Sequence, residues 1–327
     1  MNNKASEQIR IGIVGLGNVA EHQIRALREL RAKFLLAAVC DYNPVRAKIA
    51  PRVPFFKDVE SLIEHGNIDT LLISVPNREH FHVASQVLIA GYDVLIEKPA
   101  TETVEQFEIL CALADGKQVI LQTAFHAAFA PDLLWFLEYY ESMKSELGPI
   151  TALLCEFYDP YIIEGDLAAA ALGLGGSWID SGINALSVIS RLLEKYAVAD
   201  LRLTSLPQFK CRELQGSGSI IFPVNGNLSG MGHIDTNWTL NVNSKSTLLF
   251  FGMSGCRIVL NHSTQQVELF DRRGRGQIIF DASDRMPRLT AHYLGVFDDF
   301  HEHVIRRRDN RKLSLSLLKK LYEKDEM

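Results

Sequence analysis

The chain has 327 residues, too many for one ordinary hydrophobic core, so its length predicts two domains. Hydrophobic residues make up 47% of it and charged residues 22%, which is the balance of an ordinary globular protein. The net charge of −5 comes without a clustered basic face, which argues against nucleic acid or an anionic membrane as a partner.

Short apolar runs alternate with amphipathic segments over the first third of the sequence. The predicted strands are Ile9–Val14, Phe34–Cys40, 70–75, 93–96 and 118–121. The predicted helices are 18–33, 80–90 and 104–114. Strands and helices that alternate at this rhythm indicate right-handed βαβ units and a parallel sheet covered on both faces. Residues 1–125 are therefore predicted to form an α/β domain of the Rossmann type.

The pattern changes after residue 125. A helix is predicted over 131–144, and strands dominate from residue 201 onward, where Trp238, Leu240 and Val242 alternate with polar residues. Further strands are predicted at 248–251, 257–260, 267–270 and 277–280, and two helices at 292–307 and 313–324. Strands that follow one another without intervening helices pair antiparallel and can leave one face open. Residues 126–327 are therefore predicted to form an α+β domain with a mainly antiparallel, open-faced sheet.

An open sheet face exposes apolar area, and exposed apolar area favours self-association. We therefore expect a homodimer or homotetramer that forms through the C-terminal sheet, with the same domain binding the substrate.

Cellular location is inferred from the N-terminus and from the cysteines. The N-terminal residues are polar, and no stretch of about 20 residues is apolar enough for a membrane span. The cysteines are odd in number, widely spaced and without a CxxC or Cys/His ligand pattern; they are Cys40, Cys111, Cys155, Cys211 and Cys256. Free thiols in a reducing compartment explain this pattern, so we expect a soluble cytoplasmic protein.

A glycine turn lies between the first predicted strand and the first predicted helix. Its sequence is Gly15-x-Gly17-x-x-Ala20, in the strand–turn–helix context that the dinucleotide-binding motif requires. Gly15 would permit the tight turn, Gly17 would let the backbone approach a pyrophosphate, and Ala20 would allow close helix–strand contact. Asn18 and Val19 lie at the helix N-terminus, where free N–H groups favour phosphates. Glycine is common in turns, so the context carries this prediction.

Asp41 closes the second predicted strand, near the distance at which a carboxylate binds the adenosine ribose. A carboxylate there accepts hydrogen bonds from a 2′-hydroxyl and repels a 2′-phosphate, which favours NAD over NADP. Arg46 is close enough in sequence to reach such a phosphate, so NADP stays open. Asp41 could instead be a turn residue at the end of the strand.

Three further motifs carry a resemblance to a known family. Residues 74–80 (SVPNREH) and 97–99 (EKP) each follow a predicted strand, and residues 175–186 read GGSWIDSGINAL. Together with the glycine turn, these segments resemble the signature of the Gfo/Idh/MocA oxidoreductases. The combination is specific, whereas any one motif alone is not.

The resemblance implies an NAD(P)-dependent oxidoreductase that acts on CH–OH groups. It implies that Lys98 lies near the nicotinamide and the substrate, and that Asp180 and the residue four positions later line the pocket. The cofactor residues that follow from the glycine turn and the resemblance are Gly15, Gly17, Asn18, Val19, Asp41, Pro76, Asn77, His80, Glu97 and Lys98.

Asp180 and Asn184 are the candidate catalytic residues of the second domain. Residues i and i+4 share one face of a helix, so both would face the cleft, and Gly175-Gly176 would let the chain turn tightly before them. The alternatives are structural. Lys98 could form a surface ion pair with Glu97, and Asp180 could be a helix N-cap.

Asn184 stands where many relatives in the family carry His. Asn cannot accept a proton at useful pH, so it can only orient a hydroxyl or a catalytic partner. The base is then Asp180 or Lys98, with a pKa moved toward neutrality. The segment from Asp180 to Asn184 resembles the D-galactose and L-arabinose 1-dehydrogenase branch. Oxidation of an aldose at C1 to the lactone is therefore expected, since a hemiacetal hydroxyl is more acidic than an ordinary alcohol.

Other polar residues are weaker candidates. His126 after the last Rossmann strand and Glu156 on the next strand could bind sugar hydroxyls. Residues 157–170 would form the lip of the pocket, although they do not match the aldose-dehydrogenase pattern closely. His301 and His303 are at i and i+2, which point to different sides of a helix, so no metal site is expected.

Two alternative functions stay open. The same fold could oxidise a cyclic polyol or another position of a sugar. It could also be a non-catalytic regulator that senses the cofactor, although a sensor would not need both Lys98 and Asp180.

Overall fold

The computed structural model describes residues 8–209, 213–224 and 228–322. The chain divides into two compact units, which comprise Met1–Phe125 with Leu289–Ser316 and His126–Arg288 with Leu317–Met327. The division between Phe125 and His126 coincides with the change in sequence pattern. The two-domain division predicted from the sequence is wrong for Leu289–Ser316, which returns to the first unit.

The first unit is built on a six-stranded parallel sheet. Its strands are β1 (Ile9–Val14), β2 (Phe34–Cys40), β3 (Phe55–Phe56), β4 (Thr70–Ile73), β5 (Asp93–Glu97) and β6 (Leu121–Ala124). Their order is β3-β2-β1-β4-β5-β6, with every pair parallel. Every residue of β4 and β5 is buried, as a parallel sheet covered on both faces requires. The strand order reverses between β1 and β4, the place where open α/β sheets bind ligands beyond the carboxyl ends of their strands.

The helices are numbered along the whole chain. They are α1 (Ala20–Glu29), α2 (Val59–His65), α3 (Asn77–Ile89), α4 (Val104–Lys117), α5 (Pro131–Leu147), α6 (Ile183–Leu192), α7 (Arg288–Arg306) and α8 (Arg311–Tyr322). Asp58 and Thr103 cap α2 and α4, because each side chain accepts a hydrogen bond from the backbone N–H three residues later. Within the described part of the chain, none of these helices is long and apolar enough to cross a bilayer.

The predicted strand at 118–121 is wrong. Helix α4 continues to Lys117, and Gln118 then adopts a left-handed conformation with φ 57° that ends the helix. The strand begins only at Leu121. Helix α1 also ends at Glu29, earlier than predicted, and the predicted end of the last helix at residue 324 lies outside the described residues.

Helix α7 belongs to the first unit from Leu289 onward because its apolar face packs there. Tyr293, Phe297 and Phe300 are fully buried on that face. The ring of Phe297 lies edge-on to Phe34 of β2, with ring centroids 5.9 Å apart. This aromatic contact joins α7 to strand β2 of the Rossmann sheet.

The second unit contains an eight-stranded mixed sheet. Its strands in chain order are β7 (Ile150–Tyr158), β8 (Ile162–Ile163), β9 (Asp166–Leu167), β10 (Ala197–Thr204), β11 (Gln215–Pro223), β12 (Ser229–Asn237), β13 (Ser244–Phe251), β14 (Arg257–Asn261), β15 (Gln266–Phe270) and β16 (Gly276–Asp281). The order is β10-β11-β12-β7-β13-β14-β15-β16, with β8 and β9 paired separately. Only β12 and β7 pair parallel, so the sheet is mainly antiparallel as predicted.

The predicted strand through Trp238, Leu240 and Val242 is wrong. Strand β12 ends at Asn237, whose side-chain oxygen accepts a hydrogen bond from the backbone N–H of Thr239 at 2.7 Å. This turn lets Trp238 insert into the core while Leu240 and Val242 are exposed. The alternation of apolar and polar residues from 238 to 242 therefore belongs to a turn and not to a strand.

Helices cover one face of this sheet. Helix α6 packs against β7, and α5 packs against β14, β15 and β16. Phe157 and Cys155 are buried on the covered face, while their strand neighbours point the other way and are partly exposed. Met231 and Ile278 are 68% and 58% exposed. The second unit thus has the open sheet face that the sequence predicts.

The cysteines described by the structure are free thiols. They are Cys40, Cys111, Cys155 and Cys256. Burial raises the pKa of Cys40 to about 12 and that of Cys111 to about 11, so these thiols are poor nucleophiles. Cys211 lies outside the described residues.

Candidate active site

The two glycines of the glycine turn differ in the space around them: Gly15 is tightly packed, whereas Gly17 has open space next to it. Gly15 has φ +93°, and a Cβ added there would lie 2.4 Å from the backbone oxygen of Ser74. Gly17 is exposed, and a Cβ added there would meet nothing within 4 Å. Ala20 is fully buried at the start of α1. The turn therefore has the tight packing, the open approach and the close helix contact that a bound pyrophosphate requires.

The difference between the two glycines predicts that one alanine variant affects cofactor binding and the other affects stability. Gly17→Ala should weaken NADH binding about tenfold or more, because its methyl group would occupy the open approach, while the melting temperature stays unchanged. Gly15→Ala should instead lower the melting temperature, because strained backbone costs on the order of 1–3 kcal/mol. Fluorescence titration and thermal melts measure the two effects. Wild-type affinity in Gly17→Ala would contradict the assignment of this turn.

Asp41 is held at the end of β2 by two backbone hydrogen bonds. Its Oδ2 accepts from Leu16 N and its Oδ1 accepts from Asn43 N, both at 2.8 Å. A carboxylate has about four acceptor sites, so further hydrogen bonds from a ribose remain available. Arg46 is exposed in the 3-10 turn that follows. These residues fit NAD at the place where the sequence predicts it.

His80 joins the two loops that follow β4 and β5. Its Nδ1 lies 2.8 Å from the backbone oxygen of Pro99, and its Nε2 lies 2.9 Å from that of Val75. Burial lowers the pKa of this imidazole to about 4, while the contacts with the two carbonyl oxygens act in the opposite direction. Pro76 and Asn77 are at the start of α3, between these contacts. The motif histidine therefore positions the predicted cofactor loops.

Glu97 is the last residue of β5 and is buried beside Lys98. Its Oε1 accepts from the hydroxyl of Tyr293 at 2.5 Å and from the amide of Gln23 at 2.9 Å. Its Oε2 accepts from the backbone N–H of Lys98 at 3.3 Å. Lys98 itself is partly exposed. The alternative of a surface ion pair is wrong for Glu97, because this carboxylate is buried among donors.

Asp180 lies in a π-helical turn, Trp178–Gly182, that leads directly into α6. Before it, Gly175 and Gly176 have φ of 91° and 149°, as the predicted tight turn requires. The carboxylate of Glu213 accepts hydrogen bonds from the backbone N–H groups of Trp178 and Ile179 at 2.9 and 3.2 Å. Glu213 therefore caps these N–H groups, and the structure contradicts the alternative that Asp180 is a simple N-cap.

Asn184 is 6% exposed on the first turn of α6. Its side-chain amide donates to the backbone oxygen of Asp180 at 3.2 Å, so the two predicted residues are adjacent. Its Oδ1 is buried and accepts no hydrogen bond from the described residues. Leaving a buried acceptor unpaired costs about 1–3 kcal/mol. A hydroxyl that donates to this oxygen would remove that cost.

A charged cluster that the sequence did not reveal surrounds Asp180 in the second unit. Lys245 is 6% exposed, and its Nζ lies 2.6 Å from Oδ1 of Asp159. The hydroxyl of Ser181 donates to Oδ2 of Asp159 at 2.7 Å. Burial raises the pKa of Tyr161, and the charges of Asp180 and Asp159 raise it further.

The cluster also contains two basic side chains, whose charge is opposite to that of its carboxylates. Burial lowers the pKa of Lys245 and of Arg288, while Asp159 acts in the opposite direction on both. Asp159 and Tyr161 fall inside the segment predicted as the pocket lip. Lys245 and Arg288 gave no signal in the sequence, because an isolated basic residue usually indicates a solvated surface.

Glu156 and Asp180 are not brought together. Glu156 alternates with Cys155 and Phe157, so it points to the open face of the sheet, where it accepts from the hydroxyl of Tyr158 at 2.9 Å. The segment of Asp180 packs on the other face. His126 begins a 3-10 turn at the start of the second unit.

The histidines of α7 make separate contacts. The ring of His301 packs edge-on to Phe34, with centroids 5.6 Å apart, and Nδ1 of His303 lies 2.6 Å from the side-chain oxygen of Gln122. Over residues 8–209, 213–224 and 228–322, no group of three or more His, Cys, Asp and Glu side chains could hold a metal ion.

The parallel sheet, the open glycine turn and the carboxylate of Asp41 define a protein with an NAD-binding Rossmann fold. Residues 9–125 match the sequence model GFO_IDH_MocA, described as an oxidoreductase family with an NAD-binding Rossmann fold. This N-terminal segment is therefore similar to the Gfo/Idh/MocA oxidoreductases.

Two curated relatives illustrate the sequence similarity. The rhizopine catabolism protein MocA of Rhizobium meliloti is 24% identical over 178 residues, which cover 54% of this chain and 55% of that protein. The D-glucoside 3-dehydrogenase of Escherichia coli K12 is 24% identical over 261 residues, 74% of each chain. For the curated relatives matched first, the chain spans about half of their length.

Similarity of fold extends further than similarity of sequence. A levoglucosan dehydrogenase in complex with NADH and levoglucosan superposes with a TM-score of 0.77 at 15% identity, covering 96% of this chain and 95% of that one. Both units of the chain therefore have the fold of this structure.

Proposed function

We propose that the protein is an NAD(P)-dependent dehydrogenase that oxidises an aldose sugar at C1 to the lactone. NAD, when bound, accepts the hydride that leaves the oxidised carbon. The observation that carries the proposal is Asn184. It stands where many relatives in the family carry a base, and its buried Oδ1 accepts no hydrogen bond from the residues that the structure describes.

The chemistry of C1 suits an asparagine at this position. Asn184 can accept a hydrogen bond from a substrate hydroxyl but cannot take its proton. The proton must therefore pass to Asp180 or to Lys98. A hemiacetal hydroxyl is more acidic than that of an ordinary alcohol, so a weak base is sufficient.

The charged cluster supports a substrate with several hydroxyl groups. Tyr161, Lys245 and Arg288 provide donors around Asp180, and carboxylates provide acceptors. We propose that His126 adds a further contact to the sugar. Glu156 fits this role less well, since it points to the open face of the sheet.

A second candidate is oxidation of a secondary hydroxyl on a sugar or polyol ring. It is favoured by the relative named D-glucoside 3-dehydrogenase, which aligns over 74% of this chain. The two candidates need the same residues and differ in the product, which is a lactone for C1 and a ketone for a ring carbon.

Product analysis separates these functions. Purified protein is incubated with NAD+ or NADP+ and with D-galactose, L-arabinose, D-glucose, methyl glucosides, levoglucosan or myo-inositol. We expect NAD+ reduction with free aldoses, and a product that NMR identifies as a lactone hydrolysing to an acid. Methyl glucosides lack a free C1 hydroxyl and are the matched control. A stable ketone would replace the first candidate by the second, and cofactor binding without any turnover would indicate a regulator.

We also propose that the open face of the C-terminal sheet pairs with a second copy of the chain. Met231 and Ile278 are exposed on strands of this sheet, and their burial would favour a homodimer or homotetramer. Light scattering should give a mass of two or four chains, and a monomeric mass at micromolar concentration would contradict this proposal.

A further inference from the structure

We propose that the buried negative charge of Glu97 makes the site prefer oxidised over reduced nicotinamide cofactor. Tyr293 and Gln23 hold this carboxylate in place. The inference rests on the proposed cofactor binding and adds a role for residues outside the reacting groups.

Three separate segments meet at this carboxylate. Glu97 ends β5, Gln23 comes from α1 and Tyr293 from α7. Gln23 uses its amide for both Glu97 at 2.9 Å and the hydroxyl of Ser74 after β4 at 3.2 Å. Gln23 and Tyr293 are themselves buried. The carboxylate is therefore fixed against the ends of the strands that border the switch point of the sheet.

The hydrogen bonds around Glu97 favour its ionised form. A carboxylate only accepts hydrogen bonds, and three donors converge on this one: Tyr293, Gln23 and the backbone N–H of Lys98. Burial is the largest influence and raises the pKa of Glu97, while these donors and the charge of Lys98 offset part of that rise. Such a charge acts over a longer range in the protein interior than in water, because the effective dielectric constant is lower.

The position of Glu97 brings this charge to the cofactor edge of the sheet. Open α/β sheets bind dinucleotides beyond the carboxyl ends of their strands at the switch point, here between β1 and β4. Strand β5 is the next neighbour of β4, and Glu97 is its last residue. The oxidised nicotinamide ring carries a positive charge and the reduced ring carries none. A fixed anion at this edge therefore stabilises the oxidised form selectively.

The test is the ratio of two dissociation constants and needs no substrate. Calorimetric titration of Glu97→Gln with NAD+ and NADH should show about tenfold weaker NAD+ binding, or about 1.4 kcal/mol, with NADH binding nearly unchanged. Tyr293→Phe removes one donor and should shift the ratio in the same direction by a smaller factor. Glu105→Gln makes the same chemical change at an exposed residue of α4 and should leave the ratio unchanged.

The outcomes distinguish this inference from the proposed function. Equal weakening of both cofactor forms in Glu97→Gln, with a lower melting temperature, would mean a purely structural role and would overturn the inference. An unchanged ratio in a well-folded variant would overturn it as well. In either case the wild type still binds both forms and the proposed function stands. A wild type that binds neither form would overturn both.

Discussion

Replacing Lys98 by Met is expected to lower kcat by about 100- to 10,000-fold, the usual contribution of a well-placed acid–base group. The variant should still bind NADH, because the glycine turn and Asp41 hold the cofactor elsewhere in the first unit. Met keeps most of the length of the side chain, and the backbone of residue 98 keeps its hydrogen bond to Glu97. Steady-state kinetics and NADH titration together measure the effect.

The matched control is Lys117→Met, which removes an exposed lysine from the last turn of α4. Its kcat should equal that of the wild type. A kcat for Lys98→Met within a factor of a few of the wild-type value would remove Lys98 from the reaction.

Replacing Asp180 by Asn should also lower kcat by about 100-fold or more, because an amide of nearly the same size cannot take a proton. Asp180→Ala should lose at least as much. Asp200→Asn changes an exposed carboxylate of the same unit and serves as the control. NADH affinity should be unchanged in all three variants, since these residues lie outside the Rossmann unit.

The pH dependence of kcat/KM identifies the base. The variant that removes the base should lose the fall in rate at low pH that the wild type shows, and the other variant should keep it. Near wild-type turnover in both Lys98→Met and Asp180→Asn would remove both residues from the reaction.

The candidate cofactor residues can be predicted from the sequence because their roles depend on local backbone geometry. The positive φ of Gly15, the open surface over Gly17 and the strand-end position of Asp41 each follow from a few neighbouring residues. His80 was predicted from the family resemblance, and its role between two carbonyl oxygens emerged only from the structure. Tyr293 could not be found, since in sequence it is one aromatic residue on an amphipathic helix, far from Glu97.

The candidate substrate residues are harder to predict, because their exposure depends on which face of the C-terminal sheet the helices cover. A shift of one residue along a strand moves a side chain to the opposite face. Glu156 is therefore on the open face while its neighbour Phe157 is buried, and no local signal in β7 tells the two faces apart. Lys245 of β13 is paired with Phe157 of β7. Its side chain therefore lies on the same covered face as Phe157 and is buried.

Asp180 and Asn184 are adjacent, as their spacing predicts, but the backbone between them differs from the predicted helix. Their spacing placed the two residues on one helical face, and the amide of Asn184 does contact the Asp180 carbonyl. The π-helical turn over Trp178–Gly182 has no signature in a single sequence. π-Helical turns occur mostly as single insertions at functional sites, which agrees with the proposed role of Asp180.

The return of residues 289–316 to the Rossmann unit has a consequence for biosynthesis. When Phe125 leaves the ribosome, every strand of the parallel sheet has been made, yet Phe34 still lacks its aromatic partner Phe297. That partner is translated only after the whole C-terminal sheet. The nascent dinucleotide unit therefore carries an uncovered apolar surface while the C-terminal sheet is translated, and its hydrophobic core is completed only once helix α7 has been made.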